Sequence, residues 1–237
     1  MRSKRQPTGT EPLSAFSSSW VPNPMPITPS DWSVVIVGHW NRAILTPSGI
    51  VRRLLRLPEQ TPVEVEVALD AFLPYRVRHD NVVITAGSDK LLVQPTSFNY
   101  RAFEAALATA RAGIAELPET PVYAAGFNLN FKTGEYAEAL TPITGHPWDD
   151  RLSDEDFDIE TRSTTRVLRW RGGLIRAAVM QEADMSFVIL LNYERLSTSV
   201  PELIEWLSIP VQDIRAATER ILSRCLDLAL EDIRYGN

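Results

Sequence analysis

The chain of 237 residues holds one cysteine, three histidines, three lysines and no long apolar run. Each scarcity closes off a chemistry. A lone thiol, Cys225, cannot form an internal disulfide and cannot supply the cysteines of a structural zinc site. Cys225 stands among Ile221, Leu222 and Leu228 at helical spacing, so it reads as a core thiol. His39, His79 and His146 all fall in expected turns, and nothing in their spacing marks a metal site. The longest apolar runs, Val34 to Val37 and Phe187 to Leu191, have strand length and fall far short of the ~18 residues of a membrane span. The charged start Met1-Arg2-Ser3-Lys4-Arg5 is followed by Pro7 to Pro12 rather than by an apolar segment, which argues against a secretory leader. The expected compartment is therefore the cytoplasm.

Signature motifs are missing as well. There is no Gly-x-x-x-x-Gly-Lys loop, no Gly-x-Gly-x-x-Gly, no Gly-x-Ser-x-Gly elbow and no His-Glu-x-x-His. The run Asp154-x-Asp156-x-Asp158 imitates the start of a calcium loop. It has Ile159 where the turn needs glycine and Thr165 where a bidentate glutamate belongs. No metal and no cofactor is expected.

What is present is an ordinary globular composition, 44% apolar and 23% charged, with a net charge of −6. Residues 1–30 stand apart. They hold 6 of the 17 prolines and six serines, the composition of a flexible arm. Phe16 and Trp20 within it could dock on a partner or on the chain's own surface. The remaining residues, 31–237, read as one body, with 31–118 and 119–237 as possible halves sharing a core.

The body alternates strand and helix signals. A first strand is expected from Trp32 to Val37. Thr46-Pro47 opens a helix to about Leu57, with Ile50, Val51, Leu54 and Leu55 on one face and Arg52, Arg53 and Arg56 on the other. Val63, Val65, Val67 and Leu69 alternate with acids, the pattern of a strand with one wet face. Two further strands flank His79-Asp80-Asn81, and a hairpin turns at Gly87-Ser88-Asp89. A long helix, 98–117, capped by Thr96 or Ser97, carries the stripe Phe103, Leu107, Ala110, Ile114 and Leu117. Tyr123 to Phe131 alternates as a strand. A meander hinged at Gly172-Gly173 follows, pairing Trp170 with Ile175 and Leu168 with Ala177. The last helix is expected over 210–233. The fold class that results is α+β: mostly antiparallel sheet with two long helices against it, in a layout that repeats strands and then a helix.

Three clusters are chemically dense. Gly38-His39-Trp40-Asn41-Arg42 strings together groups that can stack on a ring and hold an anion. In the plainer reading Trp40 anchors the core, Asn41 satisfies turn amides and Arg42 pairs with a carboxylate. Residues 149–160 contain seven acids and one arginine. Residues 161–176 follow with Arg162, Arg166, Arg169, Arg171 and Arg176 and no acid. The turn at Gly172-Gly173 sets Arg169 opposite Arg176, an unfavourable pair that calls for an anion, either from 149–160 or from outside. The reading that follows is a non-catalytic interaction subunit, working as a homo-oligomer or with a co-encoded protein. Its alternatives are an anion or nucleic-acid binder built on the arginine meander, and an enzyme with a dispersed site around His39.

Overall fold

Trp32, Val34 and Ile36 alternate with Ser33, Val35 and Val37. In the computed structural model, which describes residues 25–67, 74–133, 140–182, 184 and 186–230, this alternation belongs to a strand much longer than the apolar run. Strand β1 runs from Met25 to Gly38. It takes in Pro26 and Pro29, and the ladder skips a residue between Pro29 and Asp31. A proline is tolerated beside such a bulge because the backbone ladder is already broken there.

The other elements follow in order. Helix α1 is Pro47–Arg53, then come β2 (Glu64–Glu66), β3 (Arg76–His79), β4 (Val82–Ala86) and β5 (Lys90–Pro95), and α2 is Tyr100–Glu116. Strand β6 (Val122–Thr133) leads through the short helices α3 (Thr141–Thr144) and α4 (Asp149–Asp154) to β7 (Arg162–Trp170), β8 (Gly173–Gln181) and β9 (Phe187–Leu196). Helices α5 (Val200–Leu207) and α6 (Val211–Arg220), a π-helical turn (Ile221–Cys225) and β10 (Leu228–Leu230) complete the described chain. The fold is α+β, a ten-stranded sheet in which all but one of the pairings are antiparallel. None of the described helices is long and apolar enough to cross a membrane.

The sheet runs β2-β3-β4-β5-β1-β6-β9-β8-β7, with β10 pairing parallel to the start of β1. Read outward from the central β1–β6 pair, both sides have the same plan. Each central strand is followed by an excursion and then by a meander that returns to lie beside it. Each meander is followed by helix: α2 after β5, and α5 with α6 after β9.

Register assigns the two faces. Trp32, Val34 and Ile36 of β1 share a face with Val93 and Leu91 of β5 and with Phe127, Leu129 and Ala125 of β6. All of these are buried. Trp32 meets Phe103 of α2 edge-on at 5.7 Å, and Phe127 stacks on Trp206 of α5 at 5.9 Å. Helices from both halves thus close on one continuous aromatic layer, and α2 and α5 touch each other across it.

Several expectations are corrected. The last helix does not reach 233. Hydrogen bonding loosens into the π-helical turn after Arg220, Asp227 adopts φ 53°, and the chain reverses into β10. Only α2 is long. Cys225 is exposed, because this turn carries it out of the stripe begun by Ile214 and Ala217. The cap of α2 is Asn99, whose Oδ1 accepts from the Ala102 amide at 2.8 Å, not Thr96 or Ser97. The alternation at Val63–Leu69, of which residues 68 and 69 lie outside the described residues, yields a described strand of only three residues, all exposed, because β2 is the outermost strand and no described layer covers it. Its glutamates instead oppose arginines, Glu66 to Arg76 at 3.0 Å and Glu64 to Arg78 at 3.9 Å.

Candidate functional site

The segment after β1 divides between core and surface. Trp40 is buried and its indole N–H donates to the Ile36 carbonyl at 3.2 Å. The Asn41 side chain accepts from the Ala43 amide, and its carbonyl accepts from Ile44 and Leu45, so this residue organises the turn into α1. His39 is exposed, with its ring edge-on to Tyr123 at 5.3 Å. Arg42 is exposed and makes no ion pair among the described residues. Gly38 is set by close approach: a side chain there would strike the Pro121 carbonyl at 2.6 Å. His39, Trp40, Asn41 and Arg42 therefore do not converge on one point.

The arginine meander has a different register from the expected one. The two turn residues are Arg171 (φ 46°) and Gly172 (φ 77°), and Gly173 begins β8 opposite Trp170. Two left-handed residues match the twist of a tight hairpin. Sliding the turn by one position sets Arg176 opposite Val167 and Arg169 opposite Leu174. The expected clash of Arg169 with Arg176 does not exist. Gly173 takes its place because Trp206 leaves no room, at 2.6 Å, for a Cβ.

Three of the five arginines have acid partners. Arg162 binds Asp149 at 2.8 Å, the one ion pair between these arginines and the stretch 149–160 among the described residues, and holds that carboxyl below its ordinary range. Arg171 binds Asp213 of α6 at 3.0 Å, and Arg176 binds Glu194 of β9 at 2.8 Å. Arg166 donates to Thr164 Oγ1 and to the Thr165 carbonyl, both at 3.0 Å, but meets no acid among the described residues. Arg169 has no acid partner among them either. Arg52, Arg53 and Arg56 do not join this group, since α1 packs on α2 in the first half and Arg56 binds Glu116.

The arginines sit on a strand with one free side. β7 has nine residues and, among the described residues, pairs only with β8 and ends the sheet. In a two-residue hairpin the pair flanking the turn exchanges both its backbone hydrogen bonds, and so does every second pair beyond it. From Trp170–Gly173 this rule points the amides and carbonyls of Ser163, Thr165, Val167 and Arg169 away from β8. The guanidinium of Arg166 on the Thr165 carbonyl fits that assignment. Val167 is 52% exposed and Leu168 39%.

The sheet face opposite the helices is open beside this edge. A polar ladder crosses it: Asn128 donates to Ser33 Oγ at 3.0 Å and Asn192 donates to Asn128 Oδ1 at 2.7 Å. Arg176 stands next in register, opposite Asn192. Apolar residues flank the ladder, with Leu190, Ala178 and Val188 all half-buried. Among the described residues no helix packs on this face.

Reading the sequence missed both the edge and the ladder. The polar residues at 128 and 192 interrupt apolar runs and were a usable signal; the edge position of β7 was not. Phe16 and Trp20 lie outside the described residues. No group of three or more metal-ligating side chains forms among the described residues. No protein-family model matches the chain, and no curated protein matches it.

Proposed function

We propose that this protein is an interaction subunit that takes an extended segment of a partner, or of a second copy of itself, onto the free edge of β7. The observation that carries this reading is the nine-residue edge strand with outward-facing backbone groups at four positions. Folded chains usually shorten, bulge or cover such an edge, because it is a template for a further strand. The other edge of this sheet is treated that way: β2 has three residues, two of them glutamates. Strand addition satisfies the main-chain groups, and alternate side chains then supply selectivity. Here Val167 offers an apolar contact and Arg169 a cation without an acid partner among the described residues, so a segment carrying an apolar residue and an acid fits best.

The alternatives have less support. A nucleic-acid surface needs several free cations, and Arg162, Arg171 and Arg176 are already neutralised. An enzyme centred on His39 needs a partner group, and the His39 ring meets the edge of Tyr123. The home compartment is proposed as the cytoplasm.

The test is Val167→Pro. Proline removes the outward amide without touching the β8 ladder. Light scattering and affinity capture on the full chain are expected to show self-association or a partner for the parent, lost in the variant with circular dichroism unchanged. A parent chain that is strictly monomeric and captures nothing, or an association that Val167→Pro leaves intact, overturns the reading.

A further inference from the structure

The helix layer does not extend over the whole outer sheet. Where α6 gives way to the π-helical turn, a cavity of about 300 Å³ opens between that turn, α3 and the helix-side face of β7 and β8. Its size stands at the small end of the roughly 300–1,000 Å³ range of small-molecule sites. The floor is shallow side chain, Ala177 and Val179; the walls are Leu168, Ile143, Ile189 and Ile221. Small residues in the floor strand leave the depth, and the wider spiral of the π-helical turn forms the roof. Such turns recur at functional sites.

The polar groups of this cavity are few and lie at its rim: Thr164, Arg166 and Cys225. Arg166 is held in place by its bonds to Thr164 and Thr165, while no acid neutralises it among the described residues. An aliphatic ligand without charge would make no use of that guanidinium, which stands exposed at the rim. A small polar anion would leave the apolar walls in contact with water. The ligand that satisfies both has one chain and one negative head. We propose that this cavity binds a medium-chain carboxylate, with the chain between Ala177 and Ile221 and the carboxylate accepting from Arg166. The site meets the free edge of β7 at one point, the Arg166 bond to the Thr165 carbonyl, and Val167 is not part of the cavity lining, so Val167→Pro and the cavity variants test the two readings separately.

Decanoate is the probe, titrated calorimetrically into the full chain below its micelle concentration. One saturable site is expected. Ala177→Leu fills the floor and is expected to weaken binding at least tenfold. Arg166→Gln removes a charge-assisted bond and is expected to weaken decanoate by about tenfold or more while leaving 1-decanol unchanged. A second measurement needs no variant. Cys225 is the one thiol of the chain and lies on the rim, so decanoate is expected to slow its alkylation by monobromobimane. Absence of saturable binding, affinity indifferent to Ala177→Leu, equal loss of decanoate and decanol in Arg166→Gln, or an unchanged alkylation rate overturns the proposal.

Discussion

Tyr193 brings a phenol into the core of the second half. Its ring stacks on Phe127 at 4.7 Å and meets Trp170 edge-on at 5.3 Å, and its hydroxyl lies 2.8 Å from Thr218 Oγ1 of α6. Both residues are fully buried. Burial pushes the phenol well above its ordinary value of 10.0, with the Thr218 bond opposing this weakly. The raised group stays protonated in the fold while the unfolded chain ionises near pH 10. Its contribution is therefore complete below pH 10 and is lost as pH rises above it. Urea denaturation is expected to give constant stability from this group between pH 7 and 9 and a decline beyond pH 10 that Tyr193→Phe reduces. At pH 7, Tyr193→Phe strands the Thr218 hydroxyl and is expected to cost about 1–2 kcal/mol. Combining it with Thr218→Val is expected to cost less than the two single changes summed. Gly173→Ala acts on the same cluster by overfilling. A Cβ there meets the Glu194 carbonyl at 2.6 Å and the Trp206 ring at 2.6 Å. A loss of about 1–3 kcal/mol is expected in the denaturation midpoint, with Trp206 emission shifted. Tyr193 and Gly173 were visible in the sequence as an apolar-strand residue and a turn residue. That both join one cluster with Phe127, Trp170 and Trp206 was not, because nothing local connects β8, β9 and α5.

Elements differ in how far their sequences could specify them. Helix α2 has a single apolar stripe, and Phe103, Leu107, Ala110 and Ile114 are buried as that stripe demands. Its cap is local too, and Asn99→Ala is expected to lower stability by about 1 kcal/mol in thermal or chemical melts. Strand β2 shows the limit. Its alternation was the cleanest in the chain, yet alternation reports only that two faces differ, not that a core exists to receive one of them. Val65 on β2 is 40% exposed. β7 shows the complementary limit, since its sequence reads as any amphipathic strand and its free side follows from where the sheet ends. The last helix failed for another reason. A stripe of Ile214, Ala217, Ile221 and Cys225 is helical in pattern, but pairing of Leu228 to Leu230 with Met25 to Ile27 draws the chain into the sheet. Native-state hydrogen exchange is expected to rank these elements. Amides of β1, β6 and β9, each paired on both sides, should exchange slowest, and those of β2 and β10 fastest. Slow exchange in β2 would contradict its exposure.

The described strands form one sheet whose two meanders meet at β1 and β6. Their eleven-position register is the longest pairing in the sheet, and rings from both halves meet above it. A shared core of this kind predicts cooperative unfolding. Tryptophan emission and far-ultraviolet circular dichroism are expected to change together in one transition, and two separated transitions would mean independent halves. Sequence alone set the α+β class, the turns at Asp80-Asn81 and Gly87 to Asp89 and the stripe of α2, because each depends on side-chain period and turn chemistry within a few residues. It also located the arginine-rich stretch. Which strand ended the sheet, which arginines found acids, and where the helix layer stopped short of β7 depended on contacts between residues far apart in the chain. A one-residue slide of the turn at Arg171-Gly172 was enough to replace an arginine facing an arginine with Arg176 beside Glu194. Such register is decided by the fit of Gly173 beneath Trp206, a contact that exists only once the helices have closed over the sheet.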